Sequence, residues 1–125
     1  MKRTAFVAII LLVLSALIPS VTPANEIVQI RLRGYIFPAP ATIPVTVAVE
    51  PAAQNRMLVV EADGDSYFRS SAVTLEGADE KRLHLIEFKS LPAGSYVVRA
   101  TVRSSREVLG TASEGLTVTG MGPEH

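Results

Sequence analysis

The sequence predicts an all-β fold, a seven-stranded antiparallel β-sandwich. Short segments alternate apolar and polar residues, as strands with one buried face do, and turn residues separate them about every 8–12 positions. No segment after residue 24 has the apolar periodicity of an amphipathic helix of useful length. The seven predicted strands are residues 27–33, 43–50, 56–62, 67–70, 82–89, 94–103 and 107–119.

The sixth predicted strand, residues 94–103, has a long and regular alternation and is predicted to lie in the middle of a sheet. Tyr96, Val98, Ala100 and Val102 share one of its faces, and the residues between them occupy the other. A strand with this pattern has one buried and one exposed face, and the rest of the chain can pair around it.

The first two strands alternate in the same way, but the segment between them does not. The residues of these strands predicted to face inward are Val28, Ile30, Leu32, Val45, Val47 and Val49. Residues 34–42 contain Pro38 and Pro40, which lack a backbone donor. This segment is therefore predicted to cross between sheets without forming regular strand, with the aromatic residues before Pro38 packing as it crosses.

The third strand leads into a predicted hairpin. Leu58 and Val60 are expected to face inward, and Asp63-Gly64 has the residue pair of a tight hairpin turn. The short fourth strand follows the turn, and residues 71–75 are predicted to form a separate edge segment.

The fifth strand has two competing phases. Leu83 and Leu85 share one face, whereas Ile86 and Phe88 share the opposite face. Counting back from the apolar corner that follows, Ile86 and Phe88 are predicted to face inward, and a bulge near Leu85 would reconcile both pairs. His84 is predicted to lie at the sheet surface or at its boundary.

The seventh strand is predicted to be interrupted. Gly110 and residues 113–115 break its alternation, whereas Leu116 and Val118 are expected to face inward. Residues 120–125 are predicted to be a disordered tail.

The first 24 residues are predicted to be a helical secretory signal peptide. A basic start precedes an apolar run from Ala5 to Ile18, and small residues up to Ala24 follow. The run is shorter than the roughly 20 residues of a membrane-spanning helix, which disfavours the alternative of an uncleaved anchor. Cleavage is expected after Ala24, with Thr22 as the alternative, and leaves a mature domain of residues 25–119 in the periplasm or outside the cell.

Composition narrows the class further. The chain has no cysteine, so it has neither disulfides nor a site for a lipid anchor after the signal peptide, and this favours a bacterial periplasm. Removal of Lys2 and Arg3 with the signal peptide leaves ten basic and twelve acidic residues, a net charge of −2. No basic cluster points to nucleic acid, and no motif points to a cofactor.

The segment Leu91-Pro92-Ala93-Gly94-Ser95-Tyr96 resembles the corner before the sixth strand of immunoglobulin-like and fibronectin type III domains. The resemblance implies that the Tyr96 ring packs in the core and that its hydroxyl bonds a nearby backbone group. Leu91, Pro92 and Gly94 would shape the corner. The pattern is also similar to the last hairpin of transthyretin-like modules, and the lack of cysteine and tryptophan argues against the antibody-like branch.

An acidic trio at alternate positions is the first candidate site. Glu61, Asp63 and Asp65 offer the oxygen ligands that calcium prefers. Calcium usually takes six or more ligands, however, and no second acidic cluster is obvious. The favoured interpretation is a solvated hairpin turn, with calcium as the alternative.

Catalytic and zinc chemistry have little support in the sequence. His84 and the terminal His125 are the only histidines, which are too few for a zinc site in a chain without cysteine. Ser113 does not lie in the motif of a hydrolase nucleophile, and no acid partner for a Ser–His–Asp arrangement is recognisable.

Four arginines at outward strand positions form a candidate interaction patch. Arg31 and Arg33 would meet Arg99 and Arg103 if the first and sixth strands shared a sheet, and could then bind an anionic partner. The alternative is that these arginines pair with acidic residues across strands and keep the domain soluble.

The sequence therefore predicts an exported, non-catalytic binding or accessory module whose partner is a protein or a glycan. The binding surface would be a loop or an open sheet edge. The alternative is a calcium-dependent adhesive or carbohydrate-binding domain, and a small hydrolase is less favoured.

Overall fold

The computed structural model describes residues 27–120 and shows a chain built from strands. The predicted signal peptide and the tail after Gly120 lie outside the described residues. The strands are β1 (Val28–Leu32), β2 (Ile36–Pro38), β3 (Ala41–Val49), β4 (Met57–Gly64), β5 (Phe68–Thr74), β6 (Leu83–Leu91), β7 (Gly94–Arg103) and β8 (Val108–Thr119). One 3₁₀ turn, Gly77–Asp79, lies between β5 and β6. Within the described residues no helix is long and apolar enough to cross a membrane.

The eight strands form two sheets, with strand order β1-β3-β6 in one and β2-β8-β7-β4-β5 in the other. Every pairing is antiparallel except that of β2 with β8, which is parallel. The predicted all-β class and two-layer architecture are confirmed, whereas the predicted count of seven strands is wrong. β7 lies in the middle of the larger sheet, as its alternation predicted.

The core lies between the sheets and is made of residues at alternate strand positions. The buried apolar side chains include those of Val28, Val45, Val47, Val49, Leu58, Val60, Ile86, Phe88, Tyr96, Val98, Ala100, Val102, Leu116 and Val118. This is the set predicted to face inward, except that Ile30 and Leu32 are only partly buried. β1 lies at a sheet edge, so its last residues have fewer neighbours to cover them.

The additional strand is β2, in the segment that was predicted to be irregular. The Tyr35 carbonyl accepts a bond from the Thr117 amide, and the Ala39 amide donates to the Thr119 carbonyl. The odd-numbered residues of this segment therefore bond β8, while Pro38 faces away from β8. Proline is compatible with this edge because its missing donor falls on the unpaired side.

β5 and β8 are each longer and more continuous than predicted. Residues 68–74 form one edge strand rather than a short strand and a separate segment, since every residue from Phe68 to Thr74 pairs with β4. β8 runs without a break through Gly110 and Gly115, and its single irregularity is a register shift opposite Val102 and Arg103. Pairing with β7 outweighs the low intrinsic strand preference of glycine.

β6 keeps one phase from His84 to Phe88, and its bulge is not near Leu85. Ile43 pairs with Phe88 but Ala41 pairs with Leu91, so the extra residue lies at Lys89–Ser90. Ser90 has a φ of 61°, which is consistent with a bulge there. The prediction that His84 lies at the surface is also wrong, because it shares the phase of Ile86 and Phe88 and is 4% exposed.

Candidate interaction site

The corner before β7 is a rigid part of the scaffold. The Tyr96 side chain is 3% exposed, and its hydroxyl donates a hydrogen bond of 2.7 Å to the Pro92 carbonyl. Burial, together with the charge of nearby Tyr67, raises the pKa of Tyr96 above its ordinary value. Gly94 has a φ of 151°, a conformation that side chains rarely adopt, and Leu91 is fully buried. These four residues of the sequence motif shape the fold and leave no open site.

The acidic trio does not form a cluster of oxygen ligands. Glu61 pairs with Arg99 on the neighbouring strand at 3.0 Å between Oε1 and Nη1, while Asp63 and Asp65 are exposed at the end of the β4–β5 hairpin. The Gly64 amide bonds the Tyr67 carbonyl and closes that hairpin. In the described residues no three His, Cys, Asp or Glu side chains lie close enough to hold a metal ion together.

The four arginines do not share a surface. Arg31 lies on β1 in the three-stranded sheet and Arg33 directly follows that strand, whereas Arg99 and Arg103 lie on β7 in the five-stranded sheet. The predicted basic patch required one common sheet, so the patch does not form. Arg99 instead bonds Glu61, which is the cross-strand pairing that the alternative interpretation predicted.

A Ser–His pair is likewise not assembled. Ser113 is exposed on β8 opposite Arg99, and His84 is buried in the other sheet. The Nε2 atom of His84 has no hydrogen-bond partner in the part of the chain that the structure describes. Burying a nitrogen atom without a hydrogen-bond partner destabilises the folded state, and this nitrogen belongs to a residue of β6.

β6 is an open sheet edge. Among residues 27–120 its backbone pairs with β3 only, and the amide of Val49 donates to the carbonyl of Arg82 at 2.8 Å. Bonded residues recur at every second position of an antiparallel pair, so the even-numbered residues of β6 direct their backbone groups to β3. The amides and carbonyls of Leu83, Leu85 and Glu87 therefore point away from the sheet, where a further strand would bind.

The side chains along this edge are suited to cover an added strand. Leu83 is 52% exposed and Leu85 is 66% exposed, and both line a shallow groove on the outer face of the three-stranded sheet. Lys81 and Glu87 lie at the two ends of the leucine pair and also line the groove. Two adjacent leucines on an outward strand face are unusual in a surface, and such apolar patches mark interaction sites.

β2 and β5, the terminal strands of the five-stranded sheet, are less suited to binding. β2 pairs over three residues only and ends at Pro38. After Phe68 and Arg69, the exposed positions of β5 carry small side chains, as in Ser70 and Ala72. Of these three strands, β6 is the longest and has the exposed pair of leucines. We call the outward side of β6, together with Lys81, the β6 edge.

Sequence reasoning identified Leu83 and Leu85 only as an inconsistency of phase. The signal was present, because two leucines on the face opposite the core are expected to be exposed. What the sequence could not show is that no other strand of residues 27–120 pairs beside them.

Comparison with known proteins identifies a fold but no family. No protein-family model matches the chain, and no curated protein matches it. The solved structures that resemble it include the sulfur carrier protein SoxY from Chlorobium limicola f thiosulfatophilum and the reeler domain of human F-spondin. SoxY has a TM-score of 0.51 and 15% identity over 76% of this chain and 81% of its own. The reeler domain has a TM-score of 0.52 and 13% identity over 80% of this chain and 100% of its own.

Proposed function

We propose that the chain is an exported, non-catalytic binding module with an immunoglobulin-like β-sandwich, which binds an extended segment of a protein partner along the β6 edge. The observation that carries this proposal is the row of outward backbone groups at Leu83, Leu85 and Glu87, covered by no strand of the described chain. Strand addition at such an edge uses backbone bonds for affinity and alternate side chains for specificity.

A binding role also agrees with the arrangement of the remaining polar residues. His84 is enclosed between the sheets, and Ser113 lies on the outer surface of the other sheet, so these two side chains are separated by the core. One of the similar solved structures is described as a sulfur carrier protein and the other as a reeler domain. The immunoglobulin-like assignment rests on the Tyr96–Pro92 corner and on the two-sheet strand order.

Export is the part of the proposal that depends on the N-terminal sequence. The basic start, the apolar run and the small residues up to Ala24 support cleavage and release into the periplasm or the medium. N-terminal sequencing of the protein purified from the cell envelope or the medium tests this. The expected first residue is Asn25, and an intact Met1 in the membrane fraction would contradict it.

A photo-reactive amino acid placed at Leu85 tests the binding role in living cells. We expect covalent adducts of defined mass at position 85, since the exposed side chain would lie against the added strand. The matched control is the same amino acid at Val97, an exposed apolar position on the other sheet. Adducts should decrease when Leu83→Lys is added. No adduct at position 85, or an equal yield at position 97, would contradict binding at the β6 edge.

A further inference from the structure

The residue order of β6 is complementary to itself about His84. We propose that the chain forms a two-fold symmetric dimer in which the β6 edges of two copies pair antiparallel, with His84 at the axis. This inference rests on the proposed function and names its partner as a second copy of the chain. The two three-stranded sheets would then join into one six-stranded sheet, and neither copy would keep an open β6 edge.

The backbone phase of β6 fits this register. With His84 opposite His84, Leu83 of one copy lies opposite Leu85 of the other, and Leu85 opposite Leu83. Both leucines direct their amide and carbonyl groups away from β3. The bond from Val49 to Arg82 shows that the even-numbered residues of β6 are the ones whose backbone groups bond β3. Each Leu83–Leu85 pair therefore exchanges two backbone hydrogen bonds, as antiparallel partners with outward groups do.

The side chains agree with the same register. The four leucines of the dimer meet on one face and cover each other. The two-fold relation also places Lys81 of one copy opposite Glu87 of the other, so two ion pairs flank the leucines. Lys81 lines the same outer groove as Glu87, and the bond from the Val49 amide holds its neighbour Arg82 beside β3. Opposite charges across a strand pair stabilise the pairing, and like charges destabilise it.

Registers in which the two-fold axis passes through Leu85 or Leu83 are less favourable. With Leu85 at the axis, Leu83 lies opposite Glu87. With Leu83 at the axis, Leu85 lies opposite Lys81. Each of these registers places a leucine opposite a charged side chain and breaks both ion pairs, whereas the His84 register keeps the leucines and the opposite charges together.

His84 supplies a second, independent observation at the axis. Its side chain is buried, and its Nε2 atom has no partner within residues 27–120. In the dimer the two His84 residues form a directly opposed pair without backbone bonds, the closer of the two antiparallel spacings. An imidazole carries one donor and one acceptor when neutral, so each ring can satisfy the other across the axis.

Sedimentation velocity over a range of concentrations tests the dimer. The full-length coding sequence is expressed and the purified product is expected to be a dimer that dissociates on dilution. Leu85→Lys should leave only monomer, because the lysine would face Leu83 of the second copy. Val97→Lys, the matched control on the other sheet, should sediment like the parent protein. Both positions are exposed, and circular dichroism verifies that each variant is folded.

A charge exchange tests the ion pairs. Lys81→Glu and Glu87→Lys should each weaken dimerisation by about tenfold, since each creates two like-charge contacts in the dimer. The double variant Lys81→Glu/Glu87→Lys restores opposite charges and should recover the parent dissociation constant. Single variants that dimerise like the parent, or a double variant as weak as the singles, would contradict this register.

Cysteine variants test the register directly, because the chain has no cysteine of its own. Under mild oxidation His84→Cys should form a disulfide-linked dimer, while Ile86→Cys, a buried residue of the same phase, should not. Linkage at Ile86→Cys, or only in a mixture of the two variants, would identify another register and overturn the proposal.

The outcomes separate the dimer from the broader function. A chain that is monomeric at all concentrations but forms adducts at position 85 with another protein overturns the dimer and supports strand addition. A monomer without such adducts overturns both.

Discussion

β7 and β6 have nearly the same sequence pattern and opposite positions in the fold. Both are long strands whose alternate residues are buried, from Tyr96 to Val102 in β7 and from His84 to Phe88 in β6. β7 is bonded on both sides, by β4 and β8, whereas within the described part of the chain β6 is bonded by β3 alone. Alternation therefore identifies the buried face of a strand but does not show how many neighbours the strand has.

The outward residues of the two strands show the consequence. On β7, Arg99 is flanked by strands on both sides and is neutralised by Glu61 from β4. On β6, Leu83 and Leu85 have a neighbouring strand of the described chain on one side only and are more than half exposed. A central strand can satisfy its outward residues within the sheet, while an edge strand offers them to a partner.

The largest expected effect distinguishes the two faces of β6. Phe88→Ala should lower the free energy of unfolding by about 3–5 kcal/mol, because it leaves a cavity between the sheets. Leu85→Ala should change it by less than about 0.5 kcal/mol in the monomer, since little buried surface is lost. Urea denaturation at the lowest workable concentration, where association contributes least, measures both. A loss at position 85 approaching that at 88 would show that the edge is covered within the monomer.

The next effect concerns a close contact at the start of β7. A Cβ added at Gly64 would lie 2.7 Å from Cε2 of the Tyr96 ring, whereas the nearest atom at Gly115 is the Tyr96 carbonyl oxygen at 3.9 Å. Gly64→Ala should therefore destabilise the fold by about 1–3 kcal/mol through overpacking. Gly115→Ala, also opposite β7, is the control. Thermal denaturation should show a much smaller loss of stability for this variant than for Gly64→Ala. Equal effects would show that the ring can move aside.

The smallest effect concerns the hydroxyl of Tyr96. Tyr96→Phe removes its bond to the Pro92 carbonyl and should lower the free energy of unfolding by about 1 kcal/mol near neutral pH. Since burial raises the pKa of Tyr96, the folded state keeps the phenol protonated at a pH where the unfolded chain ionises. Stability should thus fall as the pH rises above about 10, and fall less in the variant. Parallel curves of stability against pH would contradict this cause.

Much of the fold was predictable because strand alternation is a local property. The buried faces of β3, β4 and β7 follow from residues two apart, and the Tyr96 corner follows from one six-residue motif. His84 shares the phase of Ile86, so the period of the strand favours burial while the polarity of the imidazole favours the surface, and the period wins. A bulge near Leu85 would bury the leucines as well, but they stay exposed and the bulge lies at Lys89–Ser90.

Less of the site was predictable, because it depends on which distant segments pair. The four arginines do not form a patch because β1 and β7 lie in different sheets. The acidic trio does not act as a unit because Glu61 pairs with Arg99, which is 38 residues away in the chain. The strand character of β2 depended on its parallel contact with β8, which leaves Pro38 facing away from the pairing side.

The amino-acid order alone determined that this chain is a cysteine-free, all-β domain and which side of most strands faces the interior, since side chains alternate along any extended backbone. Only the tertiary structure decided that, among the described strands, β6 has a neighbour on one side and that its two outward leucines stay exposed. The physical reason is that hydrogen bonds between strands join residues far apart in the chain, and a strand without a second neighbour differs from a central one in its partners rather than in its sequence.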